Sequence, residues 1–129
     1  MPPQVISFDA GDLVEQIETL SQDELDHLPF GVILIDHEGT ILFYSTTEAR
    51  QSGYGQNPIG QNLFAISACM DVDDFRGRIE RAMEEGEVDL EFGWVGDYAD
   101  PDRDLRIRVL SAKGRTGVWI FVQRDIDNG

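Results

Sequence analysis

The 129 residues fit one domain, and 41% of them are hydrophobic, enough for a normal core and too many for wholesale disorder. Ten basic against 25 acidic residues give a formal charge of −15, a surface that repels phosphate backbones and anionic lipid and so argues against nucleic-acid or membrane-surface binding. A lone cysteine makes no intramolecular disulfide, and no basic-then-apolar leader or membrane-length apolar run is present. A cytoplasmic location is therefore expected, and the acid excess would suit a high-salt cytoplasm.

Residues 1–28 read as an N-terminal helical cap, with 29–126 as the main core. Leu13, Val14, Ile17 and Leu20 recur at helical spacing behind Asp12, a candidate N-cap. Ser21 and Glu24 form a capping-box pattern that opens a second short helix bearing Leu25 and Leu28. Helices this short depend on docking for stability, so the cap is expected to detach early.

Pro29-Phe30-Gly31 punctuates the join, and an apolar, β-branched run over 32–35 turns through Asp36-His37-Glu38-Gly39 into a second run over 41–44. Helical pieces are expected over 46–52 and again over 60–66, separated by a Gly/Gln/Asn/Pro loop. Asp71, Asp73 and Asp74 mark the start of a longer helix that carries Phe75, Ile79, Ala82 and Met83 and stops at Gly86. The period then changes to two. Val88, Leu90, Phe92 and Trp94 alternate with polar residues or glycine, Leu105, Ile107 and Val109 alternate with Arg106 and Arg108, and Val118, Ile120 and Val122 oppose Trp119 and Phe121. The expected fold is α+β, a five-stranded antiparallel sheet with short helices on one face plus the cap, in the element order of PAS-type sensor domains.

The chemistry-bearing residues gather between Ile41 and Cys69. Tyr44, Glu48 and Ser52 stand at i, i+4 and i+8, and on a short helix they would share one face. A phenol, a carboxyl group and one thiol are compatible with a covalently held ligand that meets acidic donors at its far end. Each also has a plainer reading. Cys69 is compatible with an inert buried thiol, Tyr44 with a strand-end aromatic, and Glu48 with the last member of a Ser45-Thr46-Thr47-Glu48 capping box. His27 and His37 read as surface histidines, and the Asp71–Asp74 cluster lacks a calcium-loop pattern.

From Leu25 to Arg124 the chain resembles the photoactive yellow protein family of PAS-fold blue-light receptors. The resemblance rests on Leu25-Asp26-His27-Leu28-Pro29-Phe30-Gly31, Gly39 to Tyr44, Glu48, Ile59-Gly60-Gln61-Asn62-Leu63-Phe64, Cys69, Phe75, Gly86, Asp97-Tyr98 and Trp119-Ile120-Phe121-Val122. It implies p-coumaric acid held as a thioester on Cys69, its phenolate accepting hydrogen bonds from Tyr44 and a protonated Glu48, with Ser52 supporting the tyrosine where threonine is more usual. A carboxyl group beside an anion in an apolar pocket stays neutral through desolvation and like-charge repulsion, and is then both donor and stored proton. Tyr54 stands where the family has an arginine over the phenolate, Ala68 where it has a proline, and Gly96 and Asp100 where it has an aromatic and a methionine.

The implied activity is light-driven signalling through loss of the Glu48 proton and release of the cap, not turnover, with an unidentified signalling protein downstream and a monomer or weak dimer as the working state. Two rivals remain at this level. One is a PAS ligand-binding or dimerisation module without a covalent group. The other is an enzyme with Cys69 as nucleophile, which would need a nearby base that neither histidine supplies. A flavin-adduct PAS domain fits poorly, because Ala68-Cys69-Met70 replaces the Asn-Cys-Arg of that class.

Overall fold

The structure, a computed structural model, describes residues 8, 11–52, 58–63, 72–84, 86, 88–95, 104–113 and 117–124. Two short helices come first, α1 (Leu13–Ile17) and α2 (Gln22–Asp26), then strands β1 (Gly31–Ile35) and β2 (Ile41–Tyr44). Helices α3 (Thr46–Ser52) and α4 (Val72–Glu84) follow, and β3 (Asp89–Val95), β4 (Asp104–Ser111) and β5 (Val118–Arg124) end the order. The five strands form one antiparallel sheet in the order β2-β1-β5-β4-β3, which puts β5 at its centre between β1 and β4. Strands β1 and β5 are apolar on both faces, and all of β1 is buried. Among the described residues no helix is long and apolar enough to cross a membrane.

Alternation along the strands divides the apolar residues into two cores. One face carries Ile33, Ile35, Ile107, Val109, Ile120 and Val122, and α4 covers it with Ile79 and Ala82. The opposite face carries Val32, Leu34, Trp119 and Phe121, and the N-terminal segment covers it with Phe8, Leu13, Val14, Ile17, Leu25 and Leu28. Phe30 links the two ends of this second core, meeting Phe8 edge-on at 5.8 Å and Phe121 edge-on at 6.1 Å. Leu13 and Ile17 are fully buried there, and burial of each such side chain stabilises docking by about 1.5–3 kcal/mol. Five-residue helices do not hold themselves together in water, so this contact is what keeps α1 helical.

Local signals are met to different degrees. The capping box of α2 is complete, Ser21 Oγ accepting from the Glu24 N–H at 3.2 Å and the Glu24 carboxylate accepting from the Ser21 N–H at 3.1 Å. Asp12 sits at the N-cap of α1 without capping it; its carboxylate accepts from the Gln16 side chain instead. Gly86, at φ 111°, closes α4, its N–H donating to Met83 O at 3.2 Å. The helix expected from Gly60 is not formed at its start. Residues 59–62 run beside β2 instead, with Ile41 N–H donating to Gln61 O at 2.9 Å, Gly60 N–H donating to Ile41 O at 2.8 Å and a bridge between Thr40 and Asn62. Pairing with the sheet edge takes the backbone groups that a helix would have used. Leu63 is helical, and residues 64–66 of that reading, like Asp71 at the expected start of the longer helix, lie outside the described residues.

Candidate functional site

The site is built where β2 ends and α3 begins. Tyr44 is the last residue of β2 and the helix starts at Thr46, as the 41–44 and 46–52 readings expected, so Tyr44 does not share a helix face with Glu48. Its phenol is half-buried against the core under α4, and its backbone partner on β1 is Ile33. Side chains of directly opposed residues stand on the same sheet face, so Tyr44 lies beside Ile33 on the α4 side.

Glu48 reaches that face by another route. Its side chain is only 5% exposed, one of the few polar groups in the described interior. It occupies the space over Gly31: a Cβ at position 31 would lie 2.9 Å from the Glu48 carboxyl carbon and 3.1 Å from its Cβ. Gly31 stands two residues before Ile33, on the same side of the strand. The absent side chain of Gly31 is thus what makes room for the carboxyl group. Tyr44 and Glu48 are brought to one face of β1, although only Glu48 is on the helix.

Ser45 fixes the geometry. Its Oγ accepts from the Val32 N–H at 3.0 Å and from the Glu48 N–H at 3.1 Å, joining β1 to the first turn of α3. The Ser45 N–H donates to Val32 O at 2.9 Å, so the strand takes the group that a full capping box would give to the Glu48 side chain. Next to Glu48, Thr47 Oγ1 lies 2.7 Å from Leu28 O and 3.0 Å from Asp26 O, and the Thr46 N–H donates to Asp26 Oδ1 at 2.7 Å. The turn that carries Glu48 is therefore tied to the end of α2 and the chain leaving it.

Ser52 ends α3, one helical turn beyond Glu48, in the backbone register expected. Tyr54 and Cys69 lie outside the described residues, as do Ala68, Gly96 and Asp100. Among the described residues no group of three or more His, Cys, Asp or Glu side chains is placed to hold a metal ion. Gly31, Ser45 and Thr47 were not recognised as parts of the site in the sequence. Their signals were present, a glycine at a strand start and a capping pattern, but each pointed to local structure.

Comparison with known proteins shows the family and the fold. A PAS fold family profile matches residues 15–126. The photoactive yellow protein of Rhodothalassium salexigens is 31% identical over 123 residues, covering 94% of this chain and 98% of that one. That of Cereibacter sphaeroides is 30% identical over 125 residues, with 94% and 98% covered. Among solved structures, the photoactive yellow protein domain of the sensor histidine kinase Ppr from Rhodospirillum centenum superposes with a TM-score of 0.70 at 32% identity, over 84% of this chain and 96% of that domain. A PAS domain of an HTR-like protein from Haloarcula marismortui shares the fold alone, with a TM-score of 0.59 at 13% identity over 85% and 98% of the two chains. The chain belongs to the photoactive yellow protein family of PAS-fold proteins.

Proposed function

We propose that the chain is a blue-light receptor in which Cys69 carries p-coumaric acid as a thioester and Tyr44 and Glu48 hold its phenolate end. The observation that carries this reading is the nearly complete burial of Glu48 over Gly31, on the sheet face that Tyr44 shares. A carboxyl group held neutral in an apolar interior is a strong hydrogen-bond donor, and a buried phenolate oxygen is a fitting acceptor for it. The described half of the site suits the group: two acidic donors at the end of a sheet face lined by Ile33, Ile120 and Val122. When bound, the group would supply visible absorption and a double bond that light isomerises.

The remaining steps belong to the chain's own residues. Tyr44 and the neutral Glu48 orient the phenolate end, with Ser52 supporting the tyrosine and Tyr54 standing in for the usual arginine. With the group bound, Glu48 would pass its proton to the phenolate oxygen on illumination, and the carboxylate left at that buried position would be poorly solvated. Relief comes by movement of the first turn of α3, which Thr46 and Thr47 tie to Asp26 and Leu28. Strain there loosens residues 1–28 from the core of 29–126, and a downstream protein reads the change. The output is signalling, not turnover.

The test is reconstitution. Apoprotein treated with an activated p-coumaric ester should turn yellow and gain the mass of one acyl group, while Cys69→Ala does neither. A colourless product of unchanged mass would overturn the assignment.

A further inference from the structure

The two edges of the sheet are finished differently. Along β2, residues 59–62 supply a further backbone partner through the bonds between Ile41, Gly60 and Gln61. The outer edge of β3 has no such partner among the described residues. The Ser111 N–H donates to Val88 O at 2.9 Å, and by alternation residues 90, 92 and 94 also bond inward to β4. Asp89, Glu91, Gly93 and Val95 therefore direct both N–H and C=O away from the sheet. The strand is seven residues long and contains neither proline nor lysine, which commonly blunt an exposed edge. Glycine inside a strand weakens it and often marks a place where another backbone comes close. Gly93 is exposed, and only Leu105 O, at 3.9 Å, lies within 4 Å of where its Cβ would stand.

We propose that the outer edge of β3 pairs antiparallel with β3 of a second copy of this chain, about a two-fold axis at Phe92, to form a weak dimer. In this register Asp89 stands opposite the partner's Val95, Leu90 opposite Trp94 and Glu91 opposite Gly93. Charge selects it. A register centred on Glu91 sets two carboxylates directly opposite one another, which destabilises a strand pair. One centred on Gly93 carries Asp89 past the strand end at Val95. With the axis at Phe92, the partner's Glu91 arrives beside Gly93, whose neighbour on β4 is Arg106. Directly opposed residues share a sheet face, and no side chain at position 93 separates the incoming carboxylate from the guanidinium. Arg106 already reaches along that face to its own Glu91 at 2.8 Å, and both side chains are about half-exposed. The two copies thus close a ring of two arginines and two glutamates over the paired edges, with no net charge. The charge of −15 on each copy opposes association at long range, and salt screens that repulsion more than it screens the close pairs.

Sedimentation equilibrium of the full chain tests the pairing without light or pigment, so it stands apart from the photoreceptor reading. One strand pair buries less than a standard interface, so about 1 mM protein is used, in about 0.5 M salt. The mass should rise from 14.5 kDa towards twice that value. Gly93→Pro deletes an outward N–H and spares the β4 ladder, so it should weaken the dimer at least about tenfold while exchange protection of β4 is kept. A charge swap reads the register independently of that variant. Glu91→Lys and Arg106→Glu should each dimerise at least about tenfold more weakly than wild type, and an equimolar mixture of the two should recover a heterodimer. Recovery requires contacts between copies, because within each variant positions 91 and 106 still carry like charges. A monomeric wild type, a folded Gly93→Pro that dimerises normally, or a mixture no better than its components would overturn the proposal.

Discussion

The two faces of the sheet are built from the same strands but closed in different ways. On the α4 side, Ile33, Ile107, Ile120 and Ile79 pack beside a buried carboxyl group whose place is reserved by Gly31. On the cap side the interior is apolar and aromatic, and the polar contacts are at the rim, where Glu15 and Glu18 meet Lys113 and Trp119. A polar group in the interior constrains one arrangement and responds to a change of charge, whereas rim contacts are exposed to solvent and salt and are weak individually. On the proposed function, one face would sense and the other let go. The first turn of α3 touches both, through Glu48 on one side and Thr47 on the other.

Matched truncations on the two faces probe this division most strongly. Ile79 and Ile17 are both fully buried, one on each side. Ile79→Ala should lower global stability by about 2–5 kcal/mol in urea titrations. Ile17→Ala should instead lose exchange protection mainly over 13–26, leaving the strand amides near wild type, if residues 1–28 open as a unit. Equal global losses would mean that the cap and the 29–126 core are one cooperative body.

Next in size is Gly31→Ala. The new methyl group would occupy the place of the Glu48 side chain, so the carboxyl group must move or the strand must shift, at a cost of about 1–3 kcal/mol. Thermal unfolding of Gly31→Ala alone and combined with Glu48→Ala separates the causes. The double variant should recover most of the loss, and no recovery would mean that strand distortion dominates.

Thr47→Val removes the hydroxyl group that links α3 to Leu28 and Asp26 while keeping its volume, and should cost about 0.5–1.5 kcal/mol. In reconstituted protein it should also shrink the light-induced loss of cap protection measured by hydrogen exchange. An undiminished change would place the link between the two faces elsewhere.

The smallest effect is that of pH on the rim. The Lys113 ammonium, by hydrogen bonding, holds the Glu15 carboxyl below its ordinary value of 4.5. A folded-state value depressed below the unfolded one contributes stability that is present above about pH 4.5 and is lost as pH falls through the folded value. Protection factors over 13–26, corrected for the intrinsic slowing of exchange in acid, should therefore fall modestly below that point, and Lys113→Met should flatten this component. An unchanged acid response in Lys113→Met would remove the pair from the cap's anchorage.

Much of the architecture was legible because strand periodicity carries it. Val118, Ile120 and Val122 against Trp119 and Phe121 already announce a central strand buried on both faces, and hence a covering for each. The helix expected from Gly60 does not begin there because residues 60–62 pair with the β2 edge, a tertiary choice that propensity does not record, and the chain is helical only from Leu63. Glu48 was legible through resemblance, but its seat was not. Gly31 and Glu48 are 17 positions apart, and only the folded sheet shows that the absence of one side chain makes the space for the other. Ser45 looked like a helix cap and is half of one, because β1 takes its N–H.

The buried carboxyl group is the centre of the proposed mechanism, and infrared difference spectroscopy addresses it directly. In reconstituted wild type, illumination should remove a protonated-carboxyl band as Glu48 gives up its proton. In Glu48→Gln, which keeps a hydrogen-bond donor but no acidic proton, that band should be absent from the difference spectrum. A protonated-carboxyl band that still disappears on illumination of Glu48→Gln would show that another group is the donor.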